Sequence, residues 1–419
     1  MKPLYAFFAA RRYWPRPEAA ARAMEALLAK MPGGGEDRLF WDDQPLSLPR
    51  ADLIVLAPLS GGVQSQMLSA ASVCPSAVVY ASYMRGNSDR EAEEGMLRAN
   101  AAPAFMDTWA VLRRSHPHCR AALTPNDLAH LLRLHGALLS VRSARILQIG
   151  ERENWVVSTA ASREAYQALL GVEIVPVSLD EVESRFRAAT RDEAQPYRDW
   201  FISHSQSIME PTQDDIWAAS RMAFSLDALL TDYAASGAAL SCFRLLSTGV
   251  NMCLAVSWAN DRTPRFVSCE GDMDSAVTML MMKKLARGRL WMANPALYPD
   301  GLIHFSHCTA PICLLGEPLP TILRSHHESG IGVSLQVDIP AGLTATLCRV
   351  SGERGEYTVQ RGVTVPGPYL PACRTQSWIR LDDMDHYVST ALGCHQVISF
   401  EDMEEDFSTL ASGLGLTRI

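Results

Sequence analysis

The segment DLIVLAPLSGG at residues 52–62 is a short apolar run that ends in a Ser-Gly-Gly turn. Before it come another apolar run, LYAFF at 4–8, and an amphipathic stretch over 17–31. A strand, a helix and a second strand in this rhythm predict a parallel β-sheet with crossover helices. Ligands bind at the carboxyl ends of such strands, so Ser60 is a candidate substrate-binding residue. The alternative is a tight strand-to-helix turn, which the lack of a fuller phosphate-loop pattern favours.

The same alternation resumes after a capped helix predicted over 124–142. The run RILQIG at 145–150 predicts the first strand of a second α/β unit, and a long helix over 212–236 continues that unit. These patterns predict an α/β fold with two consecutive Rossmann- or flavodoxin-like domains. We place the N-terminal domain at residues 1–142 and the second at 143–290.

The texture of the chain changes after about residue 300. Short strand-like runs are there separated by Gly and Pro, at 331–337, 343–350, 356–364 and 376–381. Such spacing predicts a mostly antiparallel sheet or a small barrel. We therefore expect a β-rich C-terminal domain at residues 291–419.

Composition and charge narrow the class of partner. The 419 residues are 48% hydrophobic and 20% charged, as in a globular protein, and no apolar run reaches the ~18 residues of a membrane span. The formal net charge of -8 provides no basic field for nucleic acid or for an anionic membrane surface. A small-molecule substrate is the better expectation.

The ten cysteines are scattered without a CxxC pair, and the chain opens with Met-Lys-Pro rather than with an apolar signal region. Both features predict reduced thiols in a cytoplasmic protein. Each thiol is expected to be a small buried hydrophobe rather than a ligand or a nucleophile.

The densest polar segment is SCEGDMD at residues 268–274, which precedes a helix-forming run. Its three carboxylates, Glu270, Asp272 and Asp274, either cap that helix or carry chemistry, and the segment alone favours neither reading. Other chemistry-bearing motifs follow it: WMANP at 291–295, SHCTAP at 306–311, SHHESG at 325–330, CRTQ at 373–376 and LGCHQ at 392–396.

In their order and spacing these motifs make the chain resemble the fucose isomerase family, and more closely its shorter relatives than the full-length enzyme. The likeness covers most of the chain and includes the Ser-Gly-Gly turn and the strand that ends at Gly150. It implies a fucose isomerase-like fold and homo-oligomers, typically trimers or hexamers. In these the N-terminal domain of one subunit can cover the site of its neighbour, with Ser60–Gly62 and Arg85–Asn87 as the candidates for that contact.

The resemblance also implies a divalent ion, usually Mn²⁺, with Mg²⁺ or Co²⁺ as alternatives. Glu270 and His395 match the first and the last of the family's ligands. Asn294 stands where the family has an acidic ligand. An amide oxygen still binds a hard cation, but it carries no charge and cannot shuttle a proton. The ion is then held more weakly, or Asp272 or another carboxylate completes its shell.

The activity implied is the interconversion of an aldose and a ketose through an ene-diol, on an open-chain sugar or sugar derivative. The ion would stabilise charge on the two substrate oxygens, and a carboxylate with a tuned pKa would carry the proton. Glu270 is the first candidate for a ligand that also faces the reacting carbons. Asp272 and His307 compete for the second acid–base role.

For several other residues a purely structural role is an alternative to the functional one. His307 and His395 are ligands or contacts in one reading and hydrogen-bonded core histidines in the other. His326 contacts substrate or closes a hairpin, and Arg374 binds a substrate oxygen or anchors an interface. Trp155 stacks on a sugar or simply packs, and packing is favoured.

Two other functions stay open. Loss of the acidic ligand at Asn294 is also what a non-catalytic sugar-binding or regulatory protein on an isomerase scaffold would show. A related metal-assisted reaction, the cleavage of a ketose, shares the ene-diolate intermediate. The identity of the sugar, its stereochemistry and the presence of an anionic group are not readable from the chain.

Overall fold

A computed structural model describes residues 2–419 and forms two compact units, the first ending at Gly136 and the second spanning Ala137–Ile419. The division lies inside the helix Pro125–Arg142, close to the boundary predicted at residue 142. The predicted second and third domains share the second unit. Residue 291, where the β-rich domain is predicted to begin, is the first residue of the strand Trp291–Leu297.

The first unit is a five-stranded parallel sheet in the order β2-β1-β3-β4-β5, which confirms the strand–helix–strand prediction for this part of the chain. Its strands are β1 (Leu4–Ala9), β2 (Glu36–Trp41), β3 (Leu53–Pro58), β4 (Ser76–Tyr80) and β5 (Cys119–Ala122). Its helices are α1 (Pro17–Leu28), α2 (Gln64–Ser72), α3 (Arg90–Arg98), α4 (Ala101–Ser115) and α5 (Pro125–Arg142).

Apolar side chains cover both faces of this sheet. Successive residues of β1 point to opposite faces, so Phe7 joins a core with α1 and α3 while Phe8 joins one with α2 and α4. Burial on both faces explains why β1 and β3 are continuous apolar runs rather than alternating ones.

The second unit begins with a four-stranded parallel sheet in the order β10-β9-β6-β7. Its strands are β6 (Arg145–Ile149), β7 (Glu173–Val177), β9 (Gly237–Leu240) and β10 (Phe266–Ser268), and the short strand β8 (Ser207–Ile208) lies outside this sheet. The helices are α6 (Arg163–Leu170), α7 (Leu179–Ala188), α8 (Arg191–Ser203), α9 (Gln213–Asp232), α10 (Cys253–Arg262) and α11 (Met273–Lys283). The order places β6 between β7 and β9, so the chain reverses its direction of growth there.

Local sequence sets the long helix predicted over 212–236. Thr212 and Asp215 form a reciprocal capping box at its start, which satisfies two backbone N–H groups. The helix ends at Asp232, and Ala234 then takes a left-handed conformation with φ of 49°. Helix α9 therefore matches the prediction except in its last residues.

The rest of the chain forms an antiparallel barrel, as the Gly- and Pro-separated runs predict. Six strands close it in the order β15-β18-β11-β12-β17-β16, and β15 pairs with β16 to complete the ring. The strands are β11 (Trp291–Leu297), β12 (Leu302–His307), β13 (Thr321–Arg324), β14 (Ser334–Val337), β15 (Thr344–Ser351), β16 (Glu356–Val365), β17 (Thr375–Leu381), β18 (Gln396–Ser399) and β19 (Thr417–Arg418). The helix α12 (Met384–Ser389) lies between β17 and β18, and α13 (Glu404–Gly413) lies between β18 and β19. Strand β19 pairs with β16, and β13, β14 and β8 form a separate small sheet.

One hydrophobic core runs through the whole second unit. Leu147 and Leu240 of the parallel sheet, Met222 of α9, and Ile303 and Ile379 of the barrel belong to the same buried cluster. The α/β part and the barrel therefore stabilise each other, because neither buries its apolar face alone.

All ten cysteines are free, and most of them are buried, as the scattered spacing predicts. None of the helices in the described part of the chain has an apolar stretch that would reach across a lipid bilayer.

Candidate metal centre

The turn between β10 and α11 sets the position of Glu270. Glu270 and Gly271 both adopt left-handed backbone conformations, with φ of 61° and 63°. A non-glycine residue held there carries strain of about 1–3 kcal/mol, which the surrounding contacts must offset. Those contacts are the Glu153 N–H, which donates to the Glu270 carbonyl at 2.9 Å, and the Gly271 N–H, which donates to the Leu240 carbonyl at 2.9 Å. The turn directs the chain from the sheet into α11.

Gly271 is required by space as well as by conformation. A Cβ atom at this position would lie 2.6 Å from the Cα of Arg152. The loop that follows β6 therefore packs directly against the turn that carries Glu270.

Three buried side chains from distant parts of the sequence meet at this turn. Glu270 follows β10, His307 ends β12, and His395 directly precedes β18. One ligand atom of each lies within 4.8 Å of the others, and this is the one such group of His, Cys, Asp and Glu among residues 2–419. The sequence analysis predicts that Glu270 and His395 converge, and the structure brings them together with His307 as the third member.

The geometry of His395 suits a metal ligand. Its Nε2 atom is buried, lies 3.3 Å from Oε1 of Glu270, and has no hydrogen-bond partner. A buried nitrogen without a partner is costly unless something satisfies it. An ion among the three side chains would accept its lone pair.

Asp272 fixes the orientation of the His395 ring. Oδ2 of Asp272 lies 2.8 Å from Nδ1 of His395, so Nδ1 carries a proton and donates it to the carboxylate. With an ion bound, the ring would be neutral and present the lone pair of Nε2 to that ion. Without an ion, burial lowers the pKa of His395, but the contacts with Asp272 and Glu270 outweigh burial and hold it well above its ordinary value, so Nε2 carries a proton. Histidine ligands of metal ions usually have such a carboxylate behind them.

Asp272 is itself held by a fully buried ion pair. Arg349 contacts both oxygens of its carboxylate, at 2.6 Å from Nη1 to Oδ2 and 3.1 Å from Nη2 to Oδ1. The hydroxyls of Thr159 and Ser275 donate to it at 2.7 and 2.8 Å, and the Ser275 N–H donates at 3.0 Å because Asp272 is the N-cap of α11. Burial raises the pKa of Asp272, but the charge of Arg349 and the His395 hydrogen bond outweigh burial and hold it well below its usual range.

These contacts bear on the acid–base role predicted for Asp272. Its side chain is wholly inaccessible, and both oxygens are occupied by protein donors. The contacts favour a residue that positions His395, and proton transfer by Asp272 stays a prediction.

Asp274, the third carboxylate of the segment, has a different environment. Its Oδ1 accepts hydrogen bonds from the Tyr166 hydroxyl at 2.7 Å and the Gly352 N–H at 2.8 Å. Burial raises its pKa to about 6, against the opposing charge of Arg349. The pKa of Asp272 is thus lowered and that of Asp274 raised, and the hydrogen bond from Gly352 joins α11 to the turn that follows β15.

His307 is a neutral imidazole at physiological pH. Burial and the neighbouring His395 lower its pKa to about 4, although the charge of Glu270 opposes them. Its Nδ1 lies 2.8 Å from the Thr309 hydroxyl, which leaves Nε2 as the second ring nitrogen available to a ligand. The ring can therefore bind an ion or accept a proton.

Trp155 contacts the site through its indole N–H, which donates to Oε2 of Glu270 at 2.6 Å. Burial raises the pKa of Glu270, but the adjacent, protonated His395 outweighs burial and lowers that pKa below its ordinary value. The ring of Trp155 meets Phe243 edge-on, with centroids 5.1 Å apart, and Phe243 in turn meets His326 at 5.6 Å. Trp155 therefore both packs against Phe243 and hydrogen-bonds to the carboxylate of Glu270.

The remaining predicted residues make protein contacts of their own. Nδ1 of His326 lies 2.9 Å from the Ser329 hydroxyl and closes a turn, which is the structural role considered for it. The His326 ring packs beside Phe243. Arg374 donates to the carbonyl of Ser325 at 2.8 Å and to its hydroxyl at 3.1 Å. Substrate contact by His326 and Arg374 stays a prediction.

Asn294 is half-buried on β11, opposite Ser306 of β12. It lies two residues after Met292, whose sulfur accepts a hydrogen bond from the Cys269 N–H at 3.4 Å. Alternate residues of a strand share a face, so Asn294 lies on the face that Met292 turns toward the Glu270 segment. Its ligation of an ion stays a prediction.

Ser60 belongs to the first unit and is fully buried there. Its hydroxyl oxygen accepts a hydrogen bond from the Ala10 N–H at 2.8 Å, and its proton goes to the Gly61 carbonyl at 3.1 Å. These contacts join the loops that follow β1 and β3. They are the contacts expected of the turn reading, and substrate binding by Ser60 stays a prediction.

Sequence reasoning missed the residues that hold the two aspartates of this segment, namely Arg349 and Thr159 at Asp272 and Tyr166 at Asp274. One signal was available for Arg349, which interrupts the otherwise uncharged strand TATLCRVS at 344–351. A charged residue in a strand buried on both faces needs a partner, and a buried carboxylate is the usual one.

Comparison of the sequence with protein-family models and with curated proteins gave no match.

Proposed function

We propose that the protein is a divalent-metal-dependent aldose–ketose isomerase that acts on an open-chain sugar or sugar derivative. The observation that carries the proposal is the convergence of Glu270, His307 and His395, from three separated segments, on one buried point. The motif resemblance to fucose isomerases supports the same assignment. An ene-diol pathway needs an ion at two adjacent substrate oxygens and a group that moves a proton between carbons.

The donor set fits an ion of intermediate hardness. Two imidazoles and one carboxylate suit Co²⁺ better than Mg²⁺, which prefers oxygen ligands throughout, and the family resemblance is what favours Mn²⁺. Glu270, His307 and His395 would hold the ion, with Asn294 as a further oxygen donor. When bound, it would polarise the carbonyl and hydroxyl oxygens of the sugar.

The protein's own groups have separable tasks in this reaction. Glu270 provides a negatively charged oxygen next to the reacting carbons, and the Trp155 N–H limits its rotation. His307, neutral because burial lowers its pKa to about 4, would present Nε2 to the ion, and a nitrogen that binds the ion is not free to accept a proton. Asp272 and Arg349 hold His395 in the tautomer that presents Nε2.

The finer features of the fold and assembly belong to the same proposal. The sheet order β2-β1-β3-β4-β5 is that of flavodoxin-like domains, and two α/β sheets followed by a barrel agree with a fucose isomerase-like architecture. We further propose a homo-oligomer, a trimer or a hexamer, in the cytoplasm. The ten free cysteines support the compartment.

A direct test is proton exchange at the carbons of the substrate. Protein stripped with EDTA and then loaded with Mn²⁺ is incubated in D₂O with a panel of aldoses and ketoses, and deuterium at C1 or C2 is followed by NMR. We expect metal-dependent deuterium exchange and conversion between the ketose and the aldose, and both should be absent in Glu270→Gln. Shorter carbon fragments would identify ketose cleavage instead, and no exchange with any sugar would contradict the proposal.

Asn294 favours a second candidate, a sugar-binding protein without catalysis, because an amide cannot carry a proton. This candidate predicts sugar binding without deuterium exchange, unchanged in Asn294→Asp. Exchange that rises in Asn294→Asp would instead show that the amide limits an active enzyme.

A further inference from the structure

We propose that Trp155 is a ligand platform that fixes the Glu270 carboxylate with its N–H and binds the C–H face of a polyol chain with its exposed ring. The inference rests on the proposed function, since it names the chemistry of the substrate at that site. It starts from an unusual combination: a tryptophan that is 55% exposed yet whose N–H is committed to a buried carboxylate.

The loop that carries Trp155 is built to hold the ring in place. Nη1 of Arg152 donates to the Val156 carbonyl at 2.8 Å, and the Val156 N–H donates to the Glu153 carbonyl at 3.1 Å. The Ser241 hydroxyl donates to the Glu153 carboxylate at 2.8 Å, and the Glu153 N–H donates to the Glu270 carbonyl. The indole is therefore ordered before a ligand arrives, which lowers the entropic cost of binding.

The ring has an accessible surface next to the metal group. Its N–H edge reaches Glu270, and the edge-on contact with Phe243, at an interplanar angle of 89°, covers at most one of its faces. A large aromatic surface left in water beside a polar site is the arrangement that binds the apolar face of a ligand.

Two variants separate the two tasks of Trp155. Trp155→Phe keeps a ring and loses the N–H, and Trp155→Gln keeps an N–H donor and loses the ring. Both replace a half-exposed side chain, so the fold is expected to persist, which circular dichroism checks. Trp217→Phe on α9, where the ring contacts Arg191 and Arg198, is the matched control.

Mn²⁺ affinity is measured by electron paramagnetic resonance without sugar, and the affinity of the Mn²⁺-saturated protein for ribitol and arabinitol is measured by calorimetry. We expect Trp155→Phe to weaken Mn²⁺ binding about tenfold and to leave polyol binding within about twofold. Trp155→Gln should keep Mn²⁺ binding within about threefold and weaken polyol binding about tenfold or more. Trp217→Phe should change neither affinity.

Wild-type binding of both Mn²⁺ and polyol that neither Trp155 variant alters would overturn the platform and leave the isomerase proposal standing. If the two Trp155 variants differ as expected but no sugar shows deuterium exchange, the platform stands and the isomerase proposal is overturned. A wild-type protein that binds neither Mn²⁺ nor polyol would overturn both proposals.

Discussion

At the scale of single residues, two carboxylates two positions apart have opposite environments. Asp272 accepts from Arg349 and orients His395, whereas Asp274 accepts from Tyr166 and a backbone N–H. Asp274 is therefore a matched control for Asp272, since both are buried near the same guanidinium.

We predict that Asp272→Asn weakens Mn²⁺ binding about ten- to hundredfold, because His395 loses the acceptor that fixes its tautomer. It should also cost about 3–5 kcal/mol of unfolding free energy, since Arg349 is left with a buried, poorly paired charge. Metal titration and urea unfolding measure the two effects. Equal losses of metal affinity in Asp272→Asn and Asp274→Asn would contradict the positioning role.

Asp274 should make stability depend on pH in a defined direction. Its folded pKa of about 6 exceeds its ordinary value of 3.8, so between these values the folded chain retains a proton that the unfolded chain has lost. Its contribution to stability is thus fully present below about pH 4 and declines as the pH rises to about 6, by up to about 3 kcal/mol.

We therefore predict that Asp274→Asn, whose amide stays neutral, gains stability relative to the wild type between about pH 4.5 and about pH 7. Urea unfolding at the two pH values measures the difference. A difference in unfolding free energy that stays constant across this range would show that Asp274 does not titrate there.

At the scale of elements, the turn between β10 and α11 decides the site, because two consecutive left-handed residues place Glu270. We predict that Gly271→Ala costs about 2–4 kcal/mol, since it adds a steric clash with Arg152 to the cost of a positive φ. Displacement of the turn should also abolish Mn²⁺ binding. Thermal unfolding and metal titration are the measurements.

Gly355→Ala is the control for this turn. Gly355 has a similar φ of 66° in the hairpin between β15 and β16, but the nearest atom to an added Cβ is the Leu169 side chain at 3.6 Å. It should cost only about 1–2 kcal/mol and leave metal binding intact. If the two variants lose the same stability and the same metal affinity, packing against Arg152 has no role.

Elements were predictable from sequence where one local pattern decides them. The continuous apolar runs at 4–8 and 53–57 predicted buried parallel strands. Three of the four Gly- and Pro-separated runs after residue 300 are the barrel strands β15, β16 and β17, whereas the run at 331–337 contains β14 of the separate small sheet. The meeting of Glu270 with His395 came from motif resemblance. The pairing of Arg349 with Asp272 was not predictable in the same way, because it depends on how the barrel packs on α11, a contact between segments far apart in sequence.

At the scale of the whole molecule, all three metal-group residues lie in the second unit, whose core joins the parallel sheet to the barrel. We predict two calorimetric transitions, one for each unit, and a shift by Mn²⁺ of only the second. At a concentration 100 times the dissociation constant, an ion that binds the folded state adds about 2.7 kcal/mol, or about 5 °C in Tm. Equal shifts of both transitions would contradict the location of the site.

The central claim is that Glu270, His307 and His395 hold one divalent ion, and anomalous scattering at the manganese edge tests it most directly. Crystals grown with Mn²⁺ should show a strong anomalous peak within about 2.0–2.3 Å of a Glu270 carboxylate oxygen and of one nitrogen of each imidazole. A strong peak elsewhere in the chain, with these three side chains left unligated, would contradict the account.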